Sequence, residues 1–119
     1  MNWFELTSAA QLEAIKAESQ QQPVIIFKHS TRCSISRAVL VRVERNWIQS
    51  ELTTVKPYFL DLLEYRPISN QIAVDFAVEH ESPQAIVIWQ GKPVYAKSHF
   101  EIDLNEIKRV VNAQVVSKN

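Results

Sequence analysis

The stretch that decides the fold is Val24–Ser36, which reads VIIFKHSTRCSIS. It opens with a continuous apolar run from Val24 to Phe27, which is typical of a central strand buried on both faces. Beyond Cys33, apolar residues recur every four positions as far as Trp47, and this spacing indicates an amphipathic helix. The pattern therefore predicts a strand, a turn that contains Cys33, and a helix.

Cys33 is the only cysteine of the chain. A helix N-terminus presents unpaired backbone N–H groups and partial positive charge, and both favour a thiolate over a thiol. Three residues later, where a dithiol redox protein carries its second cysteine, the chain has Ser36. This C-x-x-S pattern predicts a monothiol redox protein, which attacks a disulfide but has no second thiol to resolve the product. The alternative is an inert cysteine that serves only in packing.

Strand and helix patterns alternate along the rest of the chain. The predicted elements are a strand at 3–6, a helix from Ser8, a strand at 24–27, a helix at 35–50, a strand at 58–63, a helix through 68–76, strands at 85–89 and 93–96 around Gly91, and a helix capped by Asp103. Strands linked by helices favour parallel pairing, and the final hairpin adds antiparallel strands. The predicted class is α/β, with a central mixed sheet of four to five strands flanked by helices, in one domain over residues 1–119.

The composition argues against several classes of protein. The chain carries 13 basic and 13 acidic residues, so no net charge draws nucleic acid or an anionic membrane surface to it. No apolar run approaches the ~20 residues of a membrane-spanning helix, and Met1–Leu6 lacks the pattern of a secretion signal. These features predict a cytoplasmic protein. One cysteine, and histidines without ligand spacing, predict no metal site.

A proline before a late strand adds a second signal. Pro83 lies in the segment His80–Gln84, HESPQ, directly before the strand predicted at 85–89. Thioredoxin-like proteins carry a cis-proline at the start of a strand, facing the active cysteine. The order of elements, with Cys33 after the second strand and Pro83 before the fourth, resembles the thioredoxin fold. The resemblance implies a cis peptide bond between Ser82 and Pro83.

Three stretches resemble a narrower group, the monothiol bacilliredoxins of bacteria that use the small thiol bacillithiol. They are residues 28–36, KHSTRCSIS, residues 66–70, RPISN, and residues 80–85, HESPQA. Ser98-His99 and the hairpin at Gly91 also resemble that family, and the similarity covers about residues 3–112. The Cys-Gly-Phe-Ser signature of cluster-carrying monothiol glutaredoxins is absent, which disfavours an iron–sulfur site.

The resemblance implies roles for nine residues. Its catalytic group is Cys33, Ser36 and Pro83, and its substrate-binding group is Arg32, Lys28, His29, Ser82, Arg66 and Asn70. Pro83 and the backbone of Ser82 would align the disulfide beside Cys33.

Each polar residue of this set also has a purely structural interpretation. Lys28 and His29 would activate the thiol or pair with carboxylates of a bound thiol; the alternative is a lysine in solvent and a histidine satisfied by backbone. Ser36 would donate a hydrogen bond to the thiolate or merely replace a lost cysteine. Arg32 would attract an anionic thiol or be an ordinary solvated arginine. Arg66 and Asn70 would lie near the thiol groove, or be a solvated arginine and a helix-capping asparagine.

The resemblance implies a monothiol thiol–disulfide oxidoreductase that removes bacillithiol from protein mixed disulfides in cell redox homeostasis. Its partners would be bacillithiol, as a co-substrate, and S-thiolated client proteins, with no other cofactor, no nucleic acid and no membrane. Glutathione or coenzyme A in place of bacillithiol is one alternative. A redox-silent thioredoxin-like adaptor that binds peptides is another. A cysteine-based arsenate reductase would need further thiols or an arginine cluster, which the chain does not offer.

Overall fold

The structure is a computed structural model that describes the backbone of residues 1–50, 52 and 54–118 and the side chains of residues 1–47, 52 and 54–114. Its elements are β1 (Phe4–Glu5), α1 (Ala9–Glu18), β2 (Val24–His29), α2 (Ser34–Ser50), β3 (Lys56–Asp61), α3 (Arg66–Phe76), β4 (Gln84–Trp89), β5 (Lys92–Ser98), a 3-10 turn (His99–Glu101) and α4 (Leu104–Lys118). The predicted order of strands and helices is confirmed. No helix of the described residues is long and apolar enough to cross a membrane.

The five strands form one mixed sheet in the order β1-β3-β2-β4-β5. β3 pairs in parallel with both β1 and β2, whereas β4 runs antiparallel to β2 and to β5. The helical connections allow the parallel pairs, and the tight turn at Gly91 allows the antiparallel pair of β4 and β5. The mixed sheet flanked by helices that the sequence predicts is therefore confirmed.

Every residue of β2 is buried, because helices cover both faces of the sheet. Ile25 and Phe27 face a core that includes side chains of α2 and α4. Val24 and Ile26 face the opposite core, which includes side chains of α1 and α3. Side chains alternate along a strand, so Lys28 continues the second face and His29 the first.

The first turn of α2 differs from its prediction. Ile35 is 38% exposed, whereas Ser36 is completely buried on the side of Val39 and Val43. Positions four residues apart drift by about 40° around a helix with about 3.6 residues per turn, so a strict four-residue repeat does not stay on one face. Ser36 and Val43 are seven residues apart and share a face. The core side of α2 therefore begins at Ser36, and Ile35 points outward.

Two loops lie at one edge of the sheet. Lys28 near the end of β2 pairs with Gln84 at the start of β4 in the antiparallel register. The chain leaves β2 toward Cys33 and enters β4 from Ser82–Pro83, whose peptide bond is cis. The predicted cis bond is confirmed, and the register places the two loops at the same edge.

Candidate active site

Cys33 lies at the junction of the loop and α2. Its backbone N–H donates to the carbonyl of Ser30 at 3.2 Å, and its own carbonyl accepts from the N–H of Arg37 at 3.1 Å. Cys33 therefore occupies the N-cap position, where its carbonyl accepts the first helical hydrogen bond. The residue is partly exposed and is not in a disulfide. A partly exposed thiol at a helix N-terminus can reach another sulfur atom.

Ser36 is turned away from solvent and into the protein. Its Oγ accepts from the N–H of Ser30 at 3.1 Å and lies 2.8 Å from Nδ1 of His29. No hydrogen bond joins Ser36 to Cys33 among the described residues. The hydroxyl thus fastens the loop before Cys33 to the end of β2.

His29 is buried beneath the same loop. Its ring packs against Phe59 with the centroids 5.5 Å apart. Burial lowers the pKa of His29, with Arg37 acting in the same direction and Asp61 and Glu44 against it. In the neutral tautomer with hydrogen on Nε2, Nδ1 accepts the hydroxyl hydrogen of Ser36. The polar partner of His29 is therefore a side chain and not the backbone acceptor considered above.

Lys28 is the most unusual residue of the site, because its side chain is completely buried. Its ammonium donates to the carbonyl of Ser69 at 3.2 Å and lies 3.3 Å from Nδ1 of His80. Burial lowers the pKa of Lys28 to about 8. The alternative of a lysine in solvent is wrong. Direct substrate contact by Lys28 also does not fit this placement, because none of its surface is open.

His80 covers this buried ammonium from the outside. Its Nδ1 also lies 3.2 Å from Oγ of Ser69, and the residue itself is exposed. Burial, Lys28 and Arg66 lower the pKa of His80, and Glu81 opposes them. Lys28, Ser69 and His80 are called the Lys28 cluster below.

The loop of residues 79–83, which leads into β4, is held along its length. The side-chain amide of Gln84 donates to the carbonyl of Glu79 at 3.0 Å. The carboxylate of Glu81 accepts from the hydroxyl of Ser98. The backbone N–H of His99 donates to the carbonyl of Pro83 at 3.0 Å. With His80 in the Lys28 cluster, partners from β2, α3, β4 and the end of β5 fix this loop.

Ser82 lies between these fixed points and differs from its neighbours. Its hydroxyl is buried and has no hydrogen-bond partner within the described part of the chain. Its backbone takes part in no backbone–backbone hydrogen bond outside the helices and strands there. An unpaired backbone segment next to β4 is suited to pairing with an extended peptide.

Three other predicted residues lie on the surface. Arg32, Arg66 and Asn70 are all exposed. Arg66 is the first residue of α3, and its charge acts on His80. Asn70 lies inside α3 and not at its start, so the interpretation as a capping residue is wrong. All three remain available to a ligand.

The sequence did not single out Ser69, His80 or Gln84 as site residues. A signal for part of this set lies in β2, since extending the strand past Phe27 places Lys28 on the α1 and α3 face. Among the described residues no group of three or more His, Cys, Asp and Glu side chains could hold a metal ion. A cavity of about 480 Å³ beside Arg42, Phe100 and Leu104 includes none of the predicted site residues.

Solved structures establish the class of protein. A candidate oxidoreductase with a thioredoxin fold matches with a TM-score of 0.77 and 27% identity, over 90% of this chain and 91% of its own. A thioredoxin from Trypanosoma brucei brucei matches with a TM-score of 0.73 and 16% identity, over 96% and 91% of the two chains. A thioredoxin from Fasciola hepatica matches with a TM-score of 0.69 and 18% identity, over 92% and 96%. The fold is that of thioredoxin.

The family is narrower than the fold. A family model described as monothiol bacilliredoxin BrxC matches residues 4–107. The chain therefore belongs to the monothiol bacilliredoxin family, and the resemblance based on the three sequence stretches is confirmed. Family and fold together make it a thiol oxidoreductase.

Proposed function

We propose that this protein removes bacillithiol from mixed disulfides on client proteins by monothiol exchange at Cys33. The observation that carries the proposal is the position of this single thiol. It is partly exposed at the N-terminus of α2, with a buried serine where a resolving cysteine would lie. A reducing cytoplasm, where a lone thiol stays available, is the proposed compartment.

The exchange proceeds in two steps. The Cys33 thiolate attacks the bacillithiol sulfur of the mixed disulfide, and the bond from that sulfur to the client cysteine breaks. The client cysteine leaves as a thiolate and takes a proton from water, while bacillithiol stays on Cys33. A second small thiol or a dithiol partner then attacks this adduct. Cys33 is released as a thiolate, and the reductant is oxidised to a disulfide.

The residues of the predicted site are suited to binding both halves of such a substrate. The backbone of Ser82 is suited to pairing with the client chain on one side of the disulfide. The exposed Arg32, Arg66 and Asn70 offer positive charge and hydrogen-bond donors to an anionic small thiol. Pro83 is buried directly before β4 and fixes the path of the chain next to Ser82.

Intact-mass analysis after incubation with oxidised bacillithiol, glutathione and coenzyme A in turn tests the proposal. We expect one adduct per chain, formed fastest with bacillithiol and absent in Cys33→Ser. A bacillithiolated client protein should then lose its adduct in the presence of the wild-type protein. Faster reaction with glutathione or coenzyme A would contradict the choice of bacillithiol. Absence of any adduct would contradict thiol exchange altogether and favour a peptide-binding adaptor.

A further inference from the structure

The Lys28 cluster is not used by the chemistry above, and it contains a buried positive charge. No carboxylate lies within ion-pair distance of Lys28 among the described residues. The two acceptors of its ammonium are neutral groups, the carbonyl of Ser69 and Nδ1 of His80. A buried charge without an opposite charge destabilises a fold relative to an apolar side chain of similar size. The packing of the sheet alone would be served better by methionine.

The position of the cluster suggests what compensates for this cost. Lys28 is five residues before Cys33 on the same segment, and His80 is two residues before Ser82. Ser69 belongs to α3, so the third member of the cluster comes from a helix. The cluster thus joins the strand that leads to the thiol, one helix, and the loop that leads to the cis-proline.

A second contact strengthens this connection. Gln84 lies directly opposite Lys28 in the register of β2 and β4, so the two side chains share one face of the sheet. Its amide holds the carbonyl of Glu79, the residue before His80. Lys28 and Gln84 are neighbours across the two strands, and they bind His80 and Glu79, which are neighbours in the loop.

We propose that Lys28 and His80 are positioning residues for thiol exchange, which hold the loop of residues 79–83 so that Ser82 and Pro83 lie beside Cys33. The proposal rests on the proposed function, because the loop matters for a client disulfide that must be aligned. A displacement of this loop of about 1 Å is enough to lower the rate of a well-aligned reaction by up to about 100-fold.

The first test compares Lys28→Met with the exposed control Lys97→Met. We expect Lys28→Met to lower kcat/KM for removal of bacillithiol from a client protein by about 10-fold to 100-fold. Its free energy of unfolding should be unchanged or higher, and alkylation of Cys33 by iodoacetamide should keep the wild-type rate, since that reagent does not need the loop. Lys97→Met should match the wild type in all three. An equal fall in alkylation would overturn the proposal, because Lys28 would then act on the thiol itself.

The second test uses the acceptor on His80. Asparagine places an oxygen near the position of Nδ1, so His80→Asn should retain the contact with Lys28 and keep most of the activity. His80→Leu removes the acceptor and should lose as much dethiolation activity as Lys28→Met. Equal activities of the two His80 variants would overturn the proposal.

The pH dependence separates positioning from a packing role. Protonation of Nδ1 on His80 ends its acceptance from the ammonium and sets two positive charges together. The charged groups that face His80 are Lys28 from β2, Arg66 from α3 and Glu81 from its own loop. The rate of His80→Asn relative to wild type should therefore increase as the pH falls from about 7 to 5. The ratio removes any pH dependence that the two proteins share. A constant ratio would overturn the proposal.

These outcomes are distinguishable from failure of the proposed function. If the wild-type protein removes no thiol from any client, the proposed function fails. If the wild type is active and Lys28→Met is equally active, the positioning role fails and the proposed function stands.

Discussion

The hydroxyl of Ser36 lies 2.8 Å from Nδ1 of His29 and accepts a hydrogen bond from the N–H of Ser30. The residue at the position of a second redox cysteine is therefore a buried link between β2, the loop and α2. Its contacts hold the turn that presents Cys33. Ser36 thus acts on Cys33 through the backbone, because the hydroxyl faces the interior.

Ser36→Ala is expected to lower the free energy of unfolding by about 1–3 kcal/mol, because the Ser30 N–H and the His29 nitrogen would stay buried without their partner. Urea denaturation followed by circular dichroism measures this change. Ser34→Ala is the matched control, since Ser34 lies on the same turn and is exposed. If both variants lose the same small amount, the contact of Ser36 does not stabilise the loop.

Acid is expected to destabilise the protein partly through His29. Burial lowers the pKa of His29 in the folded state below its usual value of 6.5. As the pH falls below about 6.5, the unfolded chain binds more protons at this residue than the folded protein does. The contribution of His29 to the free energy of unfolding is therefore complete above this pH and decreases below it.

His29→Asn retains an acceptor for Ser36 but has no proton to gain, so its stability should fall less than that of the wild type between pH 7 and 5. Urea unfolding at several pH values gives both curves. Ser34→Ala, at an exposed residue of α2, should follow the wild-type curve. Parallel curves for His29→Asn and wild type would contradict this prediction.

The sequence predicts the sheet and the position of Cys33 at the start of a helix well, because both depend on strong local patterns. The run from Val24 to Phe27 and the order of the helices determine the topology. The cis bond before Pro83 follows only from resemblance, since the dipeptide itself carries little information on its isomer.

The side-chain directions around the site were harder to predict. The inward turn of Ser36 depends on the phase of α2, and the four-residue apolar repeat gives that phase incorrectly at Ile35. The burial of Lys28 depends on whether β2 ends at Phe27 or at His29, and the apolar pattern stops at Phe27. The contact between Lys28 and His80 depends on the path of a loop, and no periodic pattern describes it.

The free energy of unfolding of the wild type is expected to increase relative to that of Lys28→Met as the pH rises. Burial lowers the pKa of Lys28 from 10.5 to about 8. Between these values the unfolded chain keeps a proton that the folded protein has lost, so stability increases with pH. The full shift corresponds to a gain of about 3 kcal/mol.

The measurement is the difference in unfolding free energy between wild type and Lys28→Met from pH 7.5 to 10, in which the titrations of the tyrosines cancel. Lys97→Met should show no such trend relative to wild type. A difference that stays constant with pH would mean that the Lys28 ammonium is not held in a desolvated site.

The last prediction concerns the missing resolving thiol. In the wild type a small thiol bound to Cys33 should persist. The only other sulfur of the chain is the thioether of Met1, and a thioether cannot attack the mixed disulfide. Ser36→Cys introduces a thiol one helical turn away, at a distance that a disulfide can span after a change of side-chain rotamer. The new thiol should attack the Cys33 sulfur and release the small thiol, leaving an internal disulfide.

The time course of intact mass after removal of excess oxidised thiol shows a persistent adduct in the wild type and its loss in Ser36→Cys. Ser34→Cys places the same group on the residue directly after Cys33, where a disulfide would close a strained ring between adjacent residues, and it should keep the adduct. If Ser36→Cys keeps the adduct as long as the wild type does, the inward direction of position 36 prevents resolution.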